Sequence, residues 1–129
     1  MTDPVALVRR YLDALEQFDR TAAADVLHPE VQQVEHPNML TPKGNTRGKE
    51  GMLAGVEAGA KVLHWQRFEI DDALVAGERL ALQMTWTAKV RVPLLGKEAD
   101  AEHQARFGVF ITLRDGQIYR QVNYDCFLP

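Results

Sequence analysis

The chain has 129 residues, 46% apolar and 26% charged, a composition that supports one globular domain with a real core and excludes disorder. Lys and Arg total 15 against 18 for Asp and Glu, a net charge of −3 that lacks the basic footprint of a non-specific nucleic-acid binder. The single cysteine, Cys126, excludes an internal disulfide and a cysteine-rich zinc site.

Asp3-Pro4 reads as a helix start, a capping carboxylate followed by proline at the first helical position. Val5, Val8, Leu12 and Leu15 recur at spacings of three and four, joined by Tyr11 and Phe18, and the opposite face is charged. A second short helix is predicted over 21–27, ended by His28-Pro29. A short strand over 31–36 follows, then a loop from Pro37 to Gly48. The pattern over 47–63 is helical, with Met52, Val56, Ala60 and Leu63 on one face. Gly51, Gly55 and Gly59 lie on one side of it, where another backbone is expected to approach closely.

From His64 the period changes to two. Phe68 and Ile70 alternate with charged residues, Gly77-Glu78 turns, and Leu80, Leu82, Met84, Trp86, Ala88 and Val90 form a half-buried strand. A turn at 93–96 leads to a long strand over 100–113, whose facing composition does not decide. Asp115-Gly116 is a hairpin signal, and the last strand covers 118–127. Helices first and a long meander after predict a single α+β domain over 1–129. No apolar run approaches the roughly 20 residues of a membrane span, and the N-terminal residues show no leader pattern. With the free thiol, this gives the expectation of a cytoplasmic protein without membrane or nucleic-acid partners.

The order of these elements resembles the SnoaL-like group of the nuclear transport factor 2-like superfamily. The resemblance rests on residues 8–15 (VRRYLDAL), Val34-Glu35-His36-Pro37-Asn38, Arg47-Gly48-Lys49-Glu50-Gly51, and the closing hairpin 113–118. It implies a cone-shaped curved antiparallel sheet wrapped around the helices, one apolar pocket, and often a homodimer through the sheet. The superfamily includes ketosteroid isomerases, polyketide cyclases, epoxide hydrolases, dehydratases and non-enzymatic binders, so the fold does not fix the function.

Under that resemblance Tyr11 matches the oxyanion-hole tyrosine of the isomerases, where a phenol in an apolar pocket stabilises a developing enolate. The alternative is a helix-stripe aromatic whose hydroxyl finds a structural partner. His36 matches the position of the isomerases' proton-moving aspartate, and an imidazole is a competent base near neutrality. The second oxyanion donor matches Gly108, which has no side chain, a departure that weakens the isomerase reading. The epoxide hydrolases' charged trio matches Met84, Trp86 and Asn123, none of them charged, which argues against that activity.

Tyr119, Gln121, Asn123 and Asp125 share one face of the last strand by period two, expected to be the pocket face. Asp125 is then a candidate base or ligand anchor, or else the partner of an arginine such as Arg106. Met84, Trp86 and Phe110 are candidate pocket walls, with Gln121, Asn123 and Tyr119 as polar contacts. His28, His64 and His103 are scattered and no metal or cofactor motif occurs. The functional expectation is binding of a small hydrophobic or cyclic molecule. The alternatives are an isomerase, cyclase or dehydratase working by proton transfer beside a carbonyl, and an interaction domain using the sheet face.

Overall fold

The computed structural model describes residues 3–129. Asp3 caps α1 (Pro4–Glu16), its side chain accepting from the Val5 N–H at 3.0 Å, as the Asp-Pro pair predicts. The chain then forms α2 (Arg20–Val26), β1 (Leu27–Glu35), β2 (Asn45–Arg47), α3 (Lys49–Val62), β3 (Leu63–Ala76), β4 (Arg79–Val90), β5 (Glu102–Arg114) and β6 (Gln117–Phe127). His28-Pro29 does not end in a loop. It lies inside β1, whose pairing with β6 is irregular between Leu27 and Gln32.

The six strands form one open sheet in the order β2-β1-β6-β5-β4-β3. The expected α+β cone is present, but the sheet is mixed: β1 runs parallel to β6 and every other pairing is antiparallel. Its curvature has a local cause. The β3–β4 register skips one residue at His64 and another at Asp71, and β6 carries an extra residue at Tyr119. Each such bulge bends and twists its strand, wrapping the sheet around the helices.

Of the α1 stripe expected from spacing, Val8, Tyr11 and Leu12 are buried against the concave face of the sheet and Val5, Leu15 and Phe18 are partly buried, while Leu7, outside that stripe, is buried with them. That face carries Leu80, Leu82 and Met84 of β4, Val109 and Ile111 of β5, and Ile118 of β6. A second cluster at the other end holds Leu63, Trp86, Ala88, Val90 and Ala105. Polar clamps set the helices: Arg9 donates to the Phe68 carbonyl at 2.7 Å and Glu16 accepts from the Phe68 N–H at 2.8 Å. Arg20 pairs with Glu50 and Glu57, joining α2 to α3.

The structure also settles the facing of β5. Ala105, Phe107, Val109 and Ile111 point inward, while Arg106 and Phe110 point outward, and Phe110 is 52% exposed. Asp115 and Gly116 both have positive φ (54° and 72°), the conformation a tight two-residue hairpin requires. Among the described residues no helix is long and apolar enough to cross a membrane.

Candidate functional site

A cavity of about 310 Å³ opens between α1, α3 and the concave face of the sheet. That is at the lower end of the roughly 300–1,000 Å³ typical of small-molecule sites. Its walls are apolar. Leu12 and Leu15 come from α1, Met52 and Val56 from α3, Phe68 from β3, Met84 and Trp86 from β4, Phe107 from β5 and Phe127 from β6. The rings of Trp86, Phe107 and Phe127 lie 5.8 to 6.1 Å apart in one cluster. Trp86 is held in place because its indole N–H donates to Gln66 Oε1 at 3.0 Å, while Gln66 Nε2 donates to the Leu15 carbonyl at 2.8 Å.

Polar groups enter from two sides. On β6, alternation carries Gln121, Asn123 and Asp125 into the cavity as a ladder. Gln121 Nε2 donates to Asn123 Oδ1 at 2.9 Å, and Asn123 Nδ2 reaches Asp125 Oδ1 at 3.4 Å. The ladder leaves Gln121 Oε1 buried without a hydrogen-bond partner among the described residues, on a side chain only 6% exposed. An acceptor in that condition costs about 1–3 kcal/mol unless a ligand or water donates to it. Burial pushes the Asp125 carboxyl up to about 6, the Asn123 hydrogen bond opposes this, and the nearby Glu35 charge adds to it.

On the other side, Gln33 and Glu35 project from β1, and Arg47 from β2 binds both. Its Nη2 donates to Gln33 Oε1 at 2.5 Å and to Glu35 Oε1 at 2.6 Å. The glycine stripe of α3 explains how Arg47 fits. A Cβ on Gly51 would stand 3.1 Å from Arg47 Cβ, and one on Gly55 would stand 2.7 Å from Arg47 Nη1. The expected close approach exists, but what approaches is an arginine side chain rather than a backbone. Gly59 takes the Phe18 ring instead, at 3.5 Å. Tyr11, 5% exposed, reaches the same cavity from α1. Burial pushes its phenol up to about 12, with Arg47 drawing it down and Glu35 raising it, so the hydroxyl stays a proton donor.

Of the residues expected at the site, Tyr11, Met84, Trp86, Gln121, Asn123 and Asp125 line this cavity, and three others do not. His36 follows Glu35, so alternation turns it to the outer face, where its ring stacks on Tyr124 at 4.4 Å and 15°. It cannot reach a molecule in the cavity. Phe110 shares that outer face and meets Tyr124 edge-on at 5.9 Å. Tyr119 is the extra residue of the β6 bulge, out of phase with Gln121. Its ring packs under Arg114 at 3.9 Å and against His28 at 5.1 Å. Arg106 pairs in register with Cys126 on the outer face, so it forms no pair with Asp125.

Sequence reasoning missed Gln33, Glu35, Arg47 and Phe127. A signal existed in Gln33 and Glu35, two polar residues that continue by period two the face on which Val31 lies. Their arginine partner lies on a three-residue strand that the loop-like composition of 37–48 concealed. Among the described residues no three His, Cys, Asp or Glu side chains cluster as metal ligands would.

Residues 8–121 match the SnoaL-like domain family. The chain belongs to that family. Solved SnoaL-like and related proteins share the architecture. IdmH of Streptomyces antibioticus, provisionally assigned as a polyketide cyclase, is 15% identical, with 96% of this chain and 92% of that one covered and a TM-score of 0.80. A SnoaL-like protein of Jannaschia, likewise provisionally assigned as a polyketide cyclase, is 19% identical over 95% of this chain and 84% of its own, with a TM-score of 0.74. A protein of Catenulispora acidiphila with a ketosteroid isomerase-like fold, solved with trimethylamine, is 15% identical over 92% and 83%, with a TM-score of 0.73. At these identities the likeness concerns the fold. No curated protein matches the chain.

Proposed function

We propose that this SnoaL-like protein binds a small hydrophobic or cyclic molecule in the cavity between α1, α3 and the sheet. The observation that carries the reading is an apolar, aromatic-walled cavity with a buried, unpartnered acceptor, Gln121 Oε1, at its β6 side. A ligand that fills such a site stabilises the fold by mass action, about 2.7 kcal/mol at a hundred times its Kd. The test is a thermal-shift panel of one- and two-ring aromatics, terpenoid ketones and steroids against the wild type. A panel in which no compound raises the melting temperature sinks the reading.

A second reading rests on Asp125 and Tyr11 facing one cavity. It is proton transfer beside a carbonyl, as in an isomerase, cyclase or dehydratase. Asp125, poised near 6, takes the proton, and the Tyr11 hydroxyl donates to the developing enolate oxygen. Loss of the phenol in Tyr11→Phe should then lower kcat, since the donor acts in the transition state. Exchange of the α-protons of a bound ketone for deuterium, followed by NMR, reads the same chemistry. An unchanged rate in Asp125→Asn removes it.

We further read the outer sheet face as the contact between two copies of the chain, in the cytoplasm. Phe110 and Tyr124, 52% and 51% exposed beside His36, supply an apolar centre that solvent otherwise covers. A monomer mass by light scattering at micromolar concentration counts against this.

A further inference from the structure

The two polar sides of the cavity differ in kind. At the Tyr11 side the free groups are donors. The Tyr11 phenol reaches the cavity as a proton donor, and the buried Arg47 Nε has no partner among the described residues. At the β6 side the free groups are acceptors, Gln121 Oε1 and the Asp125 carboxylate, which receives only the 3.4 Å contact from Asn123. Among the described residues no Lys, Arg or His pairs with Asp125. Arg47, the only Lys or Arg among the described residues that line the cavity, is committed to Glu35 and Gln33.

Asp125 also sits beside aromatic rings. Phe107 is its direct cross-strand partner, and Phe127 follows two residues on, on the same face of β6. The Phe107 and Phe127 rings meet at 6.1 Å and 73°, with Trp86 at 5.8 Å from Phe127. An uncompensated carboxylate against such rings suits an organic cation, which the carboxylate attracts and the ring faces accept. A neutral ketone meets there only the Asn123 amide, already turned to Asp125, and an anion meets the Asp125 carboxylate.

We propose that the ligand is a protonated amine on a small hydrophobic body, with its N–H directed at Asp125 and its alkyl groups against Phe107 and Phe127. The inference rests on the cavity being the binding site, and it names the class of molecule that site takes. It carries a pH signature. Among the described residues the charged and titratable groups lining the cavity with Asp125 are Glu35 of β1, Arg47 of β2 and Tyr11 of α1, and Glu35 acts on it by charge. The first two are paired with each other, and the phenol stays protonated. Asp125 therefore governs the charge at this end of the cavity. Protonating it near pH 6 removes the anion the amine needs.

The test compares two molecules of nearly the same shape, N,N-dimethyl-2-phenylethylamine and 4-phenylbutan-2-one, by NMR titration of the full chain. At pH 7.5 the amine should bind about tenfold more tightly than the ketone, the size expected of a desolvated charge and ring contact. Tenfold linkage to a group titrating near 6 shrinks that advantage to about twofold at pH 5. The advantage of the amine over the ketone should also vanish in Asp125→Asn. Equal binding of both molecules by the wild type at pH 7.5 overturns the amine assignment while leaving the cavity reading standing. Binding of neither overturns both. An amine advantage that persists in Asp125→Asn places the cation elsewhere and also overturns the proposal.

Discussion

Replacing Asp125 by asparagine should make the protein more stable at neutral pH, and the gain should depend on pH. The folded chain holds this carboxyl at about 6 against an ordinary value of 3.8, chiefly by burial. A group whose folded value is raised contributes fully below the unfolded value and loses that contribution as pH rises through the folded one. Between 3.8 and about 6 the wild type therefore gives up about 3 kcal/mol as an upper value, at 1.36 kcal/mol per pH unit. Asp125 borders a cavity that admits water, so screening reduces this to about 1–2 kcal/mol. Asparagine keeps the shape and the Asn123 contact but cannot ionise.

Urea denaturation at pH 4 and at pH 8 measures the difference. The stability gain of Asp125→Asn should be larger at pH 8 by about 1–2 kcal/mol. A gain that is the same at both pH values, or a wild type more stable than the variant at pH 8, refutes the account of Asp125 as a buried carboxylate without a cation. A carboxylate kept at a stability cost is the pattern of a residue retained for function.

Other outcomes follow from the same packing. Gly59→Ala should stabilise by about 0.5–1 kcal/mol, because its Cβ meets the Phe18 ring at an ordinary 3.5 Å and alanine favours the helix. Gly55→Ala should forfeit that gain, because its Cβ would stand 2.7 Å from an Arg47 guanidinium that Glu35 and Gln33 hold in place. Chemical denaturation of the two variants separates them, and an equal gain in both removes the cradle. Arg47→Met should cost about 2–4 kcal/mol by leaving Glu35 without its cation, and adding Glu35→Gln should restore most of it. His103, 3% exposed and with no partner for its Nε2 among the described residues, is held below its ordinary value first by burial and then by Lys97. The His103 contribution to stability should therefore fall as pH drops below 6.5, opposite in sign to that of Asp125, and His103→Leu should gain stability relative to the wild type as the pH is lowered through that range.

Where the chain's own period decided the outcome, reading it sufficed. The α1 stripe, the inward set Leu80 to Val90 on β4 and the Asp115-Gly116 turn each depend on residues a few positions apart. The sequence likewise carried the family, because the order of its elements survives where identity to solved relatives is 15–19%. Trp86, Met84 and Asp125 were identifiable as cavity residues because they lie on clean stretches of alternating strand. The tertiary structure alone decided the rest, since the facing of a strand residue flips with every register skip. One extra residue at Tyr119 turns that ring away from the cavity that Gln121 enters. A one-residue difference likewise puts Glu35 inside and His36 outside. The Arg47 partner of Glu35 lies on a strand too short to announce itself, seated against glycines of a helix whose spacing showed only that something comes close. Pairing across twelve residues of chain is a matter of which surfaces meet, and local composition holds no record of it.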